Sequence, residues 1–133
     1  MPAKDVYHDA VVNALRKDGW IVRTKQLYLT IENRSVWIDI EAEKSQQVIV
    51  VEVKGFEDLS SPISYLHVVV GQYVVYREIL KYLELNHDLY LAVREEAYNG
   101  ILQEKLAEII IKNIGIKILV FDNISEVIVS WIT

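Results

Sequence analysis

The chain of 133 residues contains no cysteine. That excludes a disulfide framework and any thiolate zinc site, and it fits a cytoplasmic location. Proline and glycine are scarce, at 2 and 5 residues, while hydrophobic residues make up 52%. A collagen-like or disordered chain is therefore excluded. No apolar run approaches the roughly 18 residues needed to span a bilayer, so no membrane association is expected. Met1-Pro2-Ala3-Lys4-Asp5 lacks the apolar core of a signal peptide. An excess of positive charge is missing too, since the net charge is −5. This argues against a protein that coats nucleic acid by bulk electrostatics. The balance is uneven: residues 1–34 hold 6 basic and 4 acidic side chains, and the remainder 8 basic and 15 acidic. Contact with phosphate must be local.

What is present reads as a single domain over residues 1–133, with short loops and no internal repeat. Asp5 suits a helix N-cap, and Val6, Ala10, Val11, Ala14 and Leu15 recur at helical spacing up to Gly19. Strand-like stretches follow at 20–24, 27–31 and 36–40, with a turn at Asn33-Arg34. After the polar 44–47, Val48–Lys54 is the strongest strand, apolar enough at its start to be covered on both faces. Residues 57–61 read as a loop. Pro62 opens a long helix over 62–84. A strand at 89–93, a helix at 96–112 weakened early by Gly100, and a strand at 116–121 complete the pattern. The tail 127–132 reads as a last strand or an apolar docking segment. Early strands joined by turns pair antiparallel and later strands separated by helices add parallel. The expected fold is α/β, a mixed β-sheet flanked by helices on both faces.

Three charges interrupt these strands. Glu52 and Lys54 lie two apart near the end of an apolar strand, so period 2 puts them on one face. Asp39 stands between Ile38 and Ile40 in the preceding strand. If the two strands pair, two carboxylates and an ammonium converge at one edge of the sheet. Such a group serves either as an ion pair or as a site for a hard cation such as Mg²⁺, or Mn²⁺, which takes oxygen ligands and keeps several waters. A bound ion there polarises a phosphoryl oxygen and acidifies water, and Lys54 stabilises transition-state charge. On the long helix, Gln72 and Tyr76 are four apart and share a face. Gly71 in mid-helix suggests close approach to the sheet backbone. His8, beside Asp9 on the first helix, is either a site ligand or merely exposed.

Together, Asp39, Glu52-Val53-Lys54 and Gln72-x-x-x-Tyr76 resemble the PD-(D/E)xK nuclease pattern, especially the RecB-type exonucleases that carry a Q-x-x-x-Y helix. The strict pattern has proline before the aspartate, where Ile38 stands here. The resemblance implies a restriction-endonuclease-like core and catalytic roles for Asp39, Glu52, Lys54, Gln72 and Tyr76. It also implies a metal held by Asp39 and Glu52 with help from His8.

A closer resemblance covers nearly the whole chain. Pro2-Ala3-Lys4-Asp5, His8-Asp9-Ala10-Val11, Lys17-Asp18-Gly19-Trp20, Ile38-Asp39-Ile40, Val51-Glu52-Val53-Lys54, Gly71-Gln72-Tyr73 and Leu89–Val93 are similar to the XisH family of fdxN element excision controlling factors of cyanobacteria. That resemblance implies a role in programmed DNA excision and recombination, beside a small XisI-type partner. Three functions follow: a metal-dependent endonuclease-like protein acting on DNA, a non-catalytic control factor that keeps the nuclease fold, or a toxin–antitoxin-like or assembly role with a partner, resting on the apolar surface of the tail. DNA affinity is expected from Arg16, Lys17, Arg23 and Lys25. A homodimer is expected through the tail 127–132 and through Tyr65, Val69 and Tyr73 of the long helix, since large apolar patches mark interfaces.

Overall fold

The computed structural model describes residues 5–56 and 61–133. The opening Pro2-Ala3-Lys4 and most of the expected 57–61 loop lie outside these residues. The chain forms α1 (His8–Lys17), β1 (Ile21–Thr24), β2 (Leu27–Ile31), β3 (Arg34–Ile38), β4 (Ile40–Lys44) and β5 (Gln47–Val53). It continues through α2 (Pro62–Tyr82), β6 (Asp88–Arg94), α3 (Glu95–Asn99), a 3₁₀ turn (Ile101–Gln103), α4 (Lys105–Ile114), β7 (Lys117–Asp122) and β8 (Val127–Ile132).

Six strands form one sheet in the order β1-β4-β5-β6-β7-β8. The β1, β4 and β5 contacts are antiparallel, β5-β6-β7 is parallel, and β8 returns antiparallel to β7. The mixed sheet read from the sequence is thus present. β2 and β3 pair apart from it as a two-stranded hairpin.

Alternation along β5 decides what each face meets. Ile49, Val51 and Val53 face α1, where Val11, Leu15, Ala92, Leu119 and Phe121 complete one core. Val50 faces the other way, into a core built by Leu66, Val69, Tyr73 and Leu80 of α2 with Leu91, Val93, Ile118 and Val120. Each fully buried side chain of this kind stabilises by roughly 1.5–3 kcal/mol. Glu52 is in register with Val50, on the α2 face, and is buried.

Four local readings change. First, α1 begins at His8, not directly after Asp5. Asp5 makes a turn before the helix, its carboxylate accepting the Tyr7 N–H at 2.9 Å and its carbonyl the His8 N–H at 3.0 Å. Second, the strand read over 36–40 is broken at Asp39, where the chain leaves the hairpin and enters the main sheet. Third, the helix read over 96–112 is three pieces, because Gly100 ends α3 and the chain restarts at Lys105. Fourth, Gly71 is exposed, and a side chain there would meet nothing within 4 Å. It does not pack on sheet backbone.

The surface expected for dimerisation also changes. Val69 and Tyr73 are core residues, and Tyr65 packs against that core and against Phe56. The tail is β8, with the Trp131 ring tilted against Trp20 at 5.8 Å and edge-on to Tyr90 at 5.0 Å, while Val127 and Val129 remain exposed. Among the described residues no helix is long and apolar enough to cross a membrane.

Candidate functional site

The break at Asp39 is held by an exchange between neighbouring strands. The Asp39 N–H donates to Glu52 Oε1 at 3.3 Å, and the Val53 N–H donates to Asp39 Oδ2 at 2.8 Å. Each carboxylate therefore takes a backbone donor from the opposite strand. The β4–β5 register, with Ile40 opposite Val51, brings them side by side. One residue past β5, Lys54 places Nζ 3.4 Å from Glu52 Oε2, while its own N–H continues the ladder to the Ala92 carbonyl at 3.0 Å. The three charges that broke strand rules thus meet at the end of β5.

The site is largely buried and sets two carboxyl groups against one ammonium. The Glu52 side chain is 9% exposed and that of Lys54 17%. Burial, and then the neighbouring Asp39 charge, push the Glu52 carboxyl up to about 8 against the pull of Lys54. Burial also raises Asp39, opposed by the Val53 N–H, His8 and Lys54. The charge on one carboxylate bears on the ionisation of the other, so Asp39 and Glu52 titrate as a pair. That donor set fits a hard divalent cation, which neutralises both oxygens and retains waters in its remaining positions. Among the described residues no three His, Asp or Glu side chains converge as a ligand cluster.

Tyr76 of α2 borders the site. Its hydroxyl is pushed up to about 12, first by burial and then by the charges of Glu52 and Asp39. It stays protonated and able to donate. Gln72, one helical turn earlier, has a buried Oε1 with no hydrogen-bond partner among the described residues. An orphaned amide oxygen costs about 1–3 kcal/mol unless something donates to it.

His8 is buried, not exposed. Its Nε2 lies 2.9 Å from the Lys25 carbonyl and 3.4 Å from the Asp39 carbonyl, and Nδ1 is 3.4 Å from Asp9 Oδ1. Nε2 therefore carries the proton donated to Lys25. His8 stands beside Asp39 and ties α1 to the β1–β2 turn, without presenting a free Nε2 to the carboxylates.

Sequence reasoning missed the clamp behind Lys54. Gly55 donates its N–H to Asp5 Oδ2 at 3.0 Å and accepts from Arg94 Nε at 2.8 Å, and Arg94 Nη2 also reaches the Phe56 carbonyl at 3.1 Å. A Cβ on Gly55 would lie 2.8 Å from the Tyr7 ring, so only glycine fits. The available signals were a glycine directly after the lysine and an arginine closing an otherwise apolar strand.

The basic residues divide. Arg16 and Lys17 lie at the far end of α1, with Lys17 donating to the Ser125 carbonyl at 2.7 Å. Arg23 and Lys25 flank the β1–β2 turn, on the His8 side.

Three comparisons with known proteins bear on this arrangement. The family model described as XisH protein matches residues 1–129. The chain is similar to the crystal structure of an fdxN element excision controlling factor protein from Anabaena variabilis. Identity is 38%, coverage is 98% of this chain and 100% of that one, and the TM-score is 0.92. It is also similar to an XisH family protein from Nostoc punctiforme PCC 73102, at 36% identity, 97% and 100% coverage and a TM-score of 0.91. No curated protein matches.

Proposed function

The chain belongs to the XisH family, and from that premise we propose that it controls programmed DNA excision through an endonuclease-like, metal-dependent site acting on DNA phosphodiesters. The observation that carries the proposal is the pairing of Asp39 with Glu52 beside Lys54, buried and short of positive charge. The order of the elements, with an aspartate at the bend before β4, E-x-K at the end of β5 and Q-x-x-x-Y on the following helix, supports a PD-(D/E)xK, restriction-endonuclease-like reading of the core.

Asp39 and Glu52 hold Mg²⁺ or Mn²⁺. The ion, when bound, supplies Lewis acidity toward a phosphoryl oxygen and a water of lowered pKa. Lys54 orients the attacking water and stabilises charge building on the phosphate. Tyr76 donates from a hydroxyl that remains protonated, and Gln72 offers its amide to the strand or to the lysine. The clamp on Gly55 fixes the backbone that carries Lys54, so that its ammonium loses little freedom on reaching the transition state.

A second reading rests on the acidic balance of the chain. In it the protein is a non-catalytic control factor that keeps the fold and works with an XisI-type partner. A homodimer remains part of the proposal, now through the outer side of α2, where Val68, Val75 and Tyr82 are exposed. Light scattering at micromolar concentration checks it. The deciding experiment for function is a cleavage assay with Mg²⁺ or Mn²⁺ on linear, nicked and branched DNA. Cleavage supports the first reading, and its absence on every form and with either ion supports the second.

A further inference from the structure

The β2–β3 hairpin has a face that its own folding does not explain. Leu27, Leu29 and Ile38 point into the core shared with α2. The opposite face carries the cross-strand pairs Tyr28–Trp37 and Thr30–Ser35. Tyr28 is 52% exposed. The two rings lie 4.4 Å apart at 44°, and the Tyr28 hydroxyl is fixed 2.7 Å from Ser35 Oγ, which also lies 3.2 Å from Thr30 Oγ1. An aromatic cross-strand pair stabilises a hairpin by up to about 1 kcal/mol. That accounts for the contact but not for leaving so much ring in water on the solvent side.

Two further observations give the face an occupant. The hairpin runs directly into the carboxylate site, because Trp37 is two residues from Asp39, at most about 7 Å of chain. It is also where the positive charge of an acidic protein collects. Lys25 precedes it and Arg34 is at its tip, both exposed, with Glu32 the opposing charge in the turn, while Arg23 on β1 lies 4.0 Å from Glu41. Exposed cations on the same hairpin as a held pair of aromatic rings suit single-stranded nucleic acid, phosphates to the basic groups and bases to the π-faces. In a duplex the bases are already stacked on one another, and a ring pair gains nothing.

We infer that the Tyr28–Trp37 face of the hairpin is a stacking platform for unpaired bases, and that the DNA this protein engages has a single-stranded segment next to the phosphodiester presented to Asp39 and Glu52. The inference rests on the proposed function for its substrate, and it names the form that substrate takes.

The test is a binding titration by fluorescence anisotropy in EDTA. The probes are a short oligothymidine strand, a blunt duplex and a duplex with a single-stranded tail. The strand and the tailed duplex bind about 10-fold or more tightly than the blunt duplex, and Tyr28→Leu and Trp37→Leu each remove that preference. Tyr28→Phe retains it, since the ring remains and only the hydroxyl is lost. Circular dichroism establishes that each variant is folded. A blunt duplex bound as tightly as the tailed one, or a folded Tyr28→Leu protein with the preference intact, overturns the inference. Tighter binding of an RNA strand of matching sequence overturns the assignment to DNA. Because no divalent ion is present, a wild-type protein that never cleaves would refute the nuclease reading and leave this result standing.

Discussion

At the Gln47 end of β5, Asp88 accepts from Gln47 at 3.2 Å and from Lys117 at 3.0 Å, whereas at the Lys54 end Glu52 has Lys54 at 3.4 Å and a second carboxylate, Asp39, beside it. The Lys117 hydrogen bond holds the Asp88 carboxyl below its ordinary value, and the same bond raises Lys117. Glu52 and Asp39 move the opposite way, upward, first because they are buried. The two arrangements thus lie at opposite ends of the paired strands β5 and β6. Where a charge is paired at the rim, folding favours the ionised form. Where it is buried beside a like charge, folding opposes ionisation, and the backbone N–H groups that Asp39 and Glu52 accept offset this only in part. Sites that bind cations or transition states are where proteins keep such groups.

The largest effects should fall at the Lys54 end. Asp39→Asn or Glu52→Gln removes one of two anionic oxygens a divalent ion needs, so calorimetric Mn²⁺ binding and cleavage are both lost. Lys54→Ala keeps the ion and the DNA affinity while cleavage falls by about 10²–10³. Mn²⁺ binding unchanged in Glu52→Gln, or robust cleavage by Lys54→Ala, would break the contrast between the two ends.

Much of this contrast was legible before the fold. Period 2 put Glu52 and Lys54 on one face, and the apolar neighbours of Asp39 marked it as an intruder. The same neighbours hid the bend, because Ile38-Asp39-Ile40 looks like continuous strand when only the side chains are read. The bend depends on the Val53 N–H and the Glu52 carboxylate, both more than ten residues away. The Gly55 clamp was illegible for the same reason, since it joins Asp5 to Gly55 and Arg94 to Gly55 across 50 and 39 residues. Helical spacing placed Gln72 and Tyr76 on one face of α2. It did not say which way Gly71 faces in a helix apolar on most of its sides.

A pH series sharpens the comparison next. Below about 4.5 Glu52 is protonated in both folded and unfolded chains. Between there and its folded value of about 8, the unfolded chain ionises while the folded one does not. Stability from this group is therefore complete below 4.5 and is lost as pH rises through 8. In EDTA the melting temperature of the wild type should fall across that window, and Glu52→Gln should flatten the fall. Added Mg²⁺ should raise the wild-type value most at the alkaline end, because an ion binds the deprotonated pair. Parallel melting curves for wild type and Glu52→Gln would sink this account of the site.

A smaller effect separates two neighbours on α2. Gly71 is exposed with open space around it, while the Gln72 amide oxygen next to it is buried. Gly71→Ala should stabilise by about 0.5–1 kcal/mol, mainly by restricting the unfolded chain. On a chain of this size that raises the melting temperature by a few degrees. Cleavage and Mn²⁺ affinity should not change. A loss of stability would place something against that face.

The smallest effect belongs to the Gln47 end, and its smallness is the point. Asp88→Asn removes the ion pair to Lys117 and replaces one acceptor of Gln47, yet the Asp88 side chain is 44% exposed. Water and salt screen such pairs, which contribute roughly 0–1 kcal/mol. The sign differs from that of Glu52. A carboxyl held below its ordinary 3.8 adds stability above that value, and the addition is lost as pH falls through the lower folded value. Asp88→Asn should therefore lower the melting temperature slightly at neutral pH and not at all in strong acid, whereas Glu52→Gln acts toward the alkaline side. High salt should abolish the Asp88→Asn difference and leave that of Glu52→Gln, because buried charges are screened far less. Melting curves of both variants at low and high ionic strength measure this directly. If the two respond alike to salt and pH, the carboxylates at the two ends of β5 do not differ in kind, and the case for a site at Asp39, Glu52 and Lys54 loses its electrostatic basis.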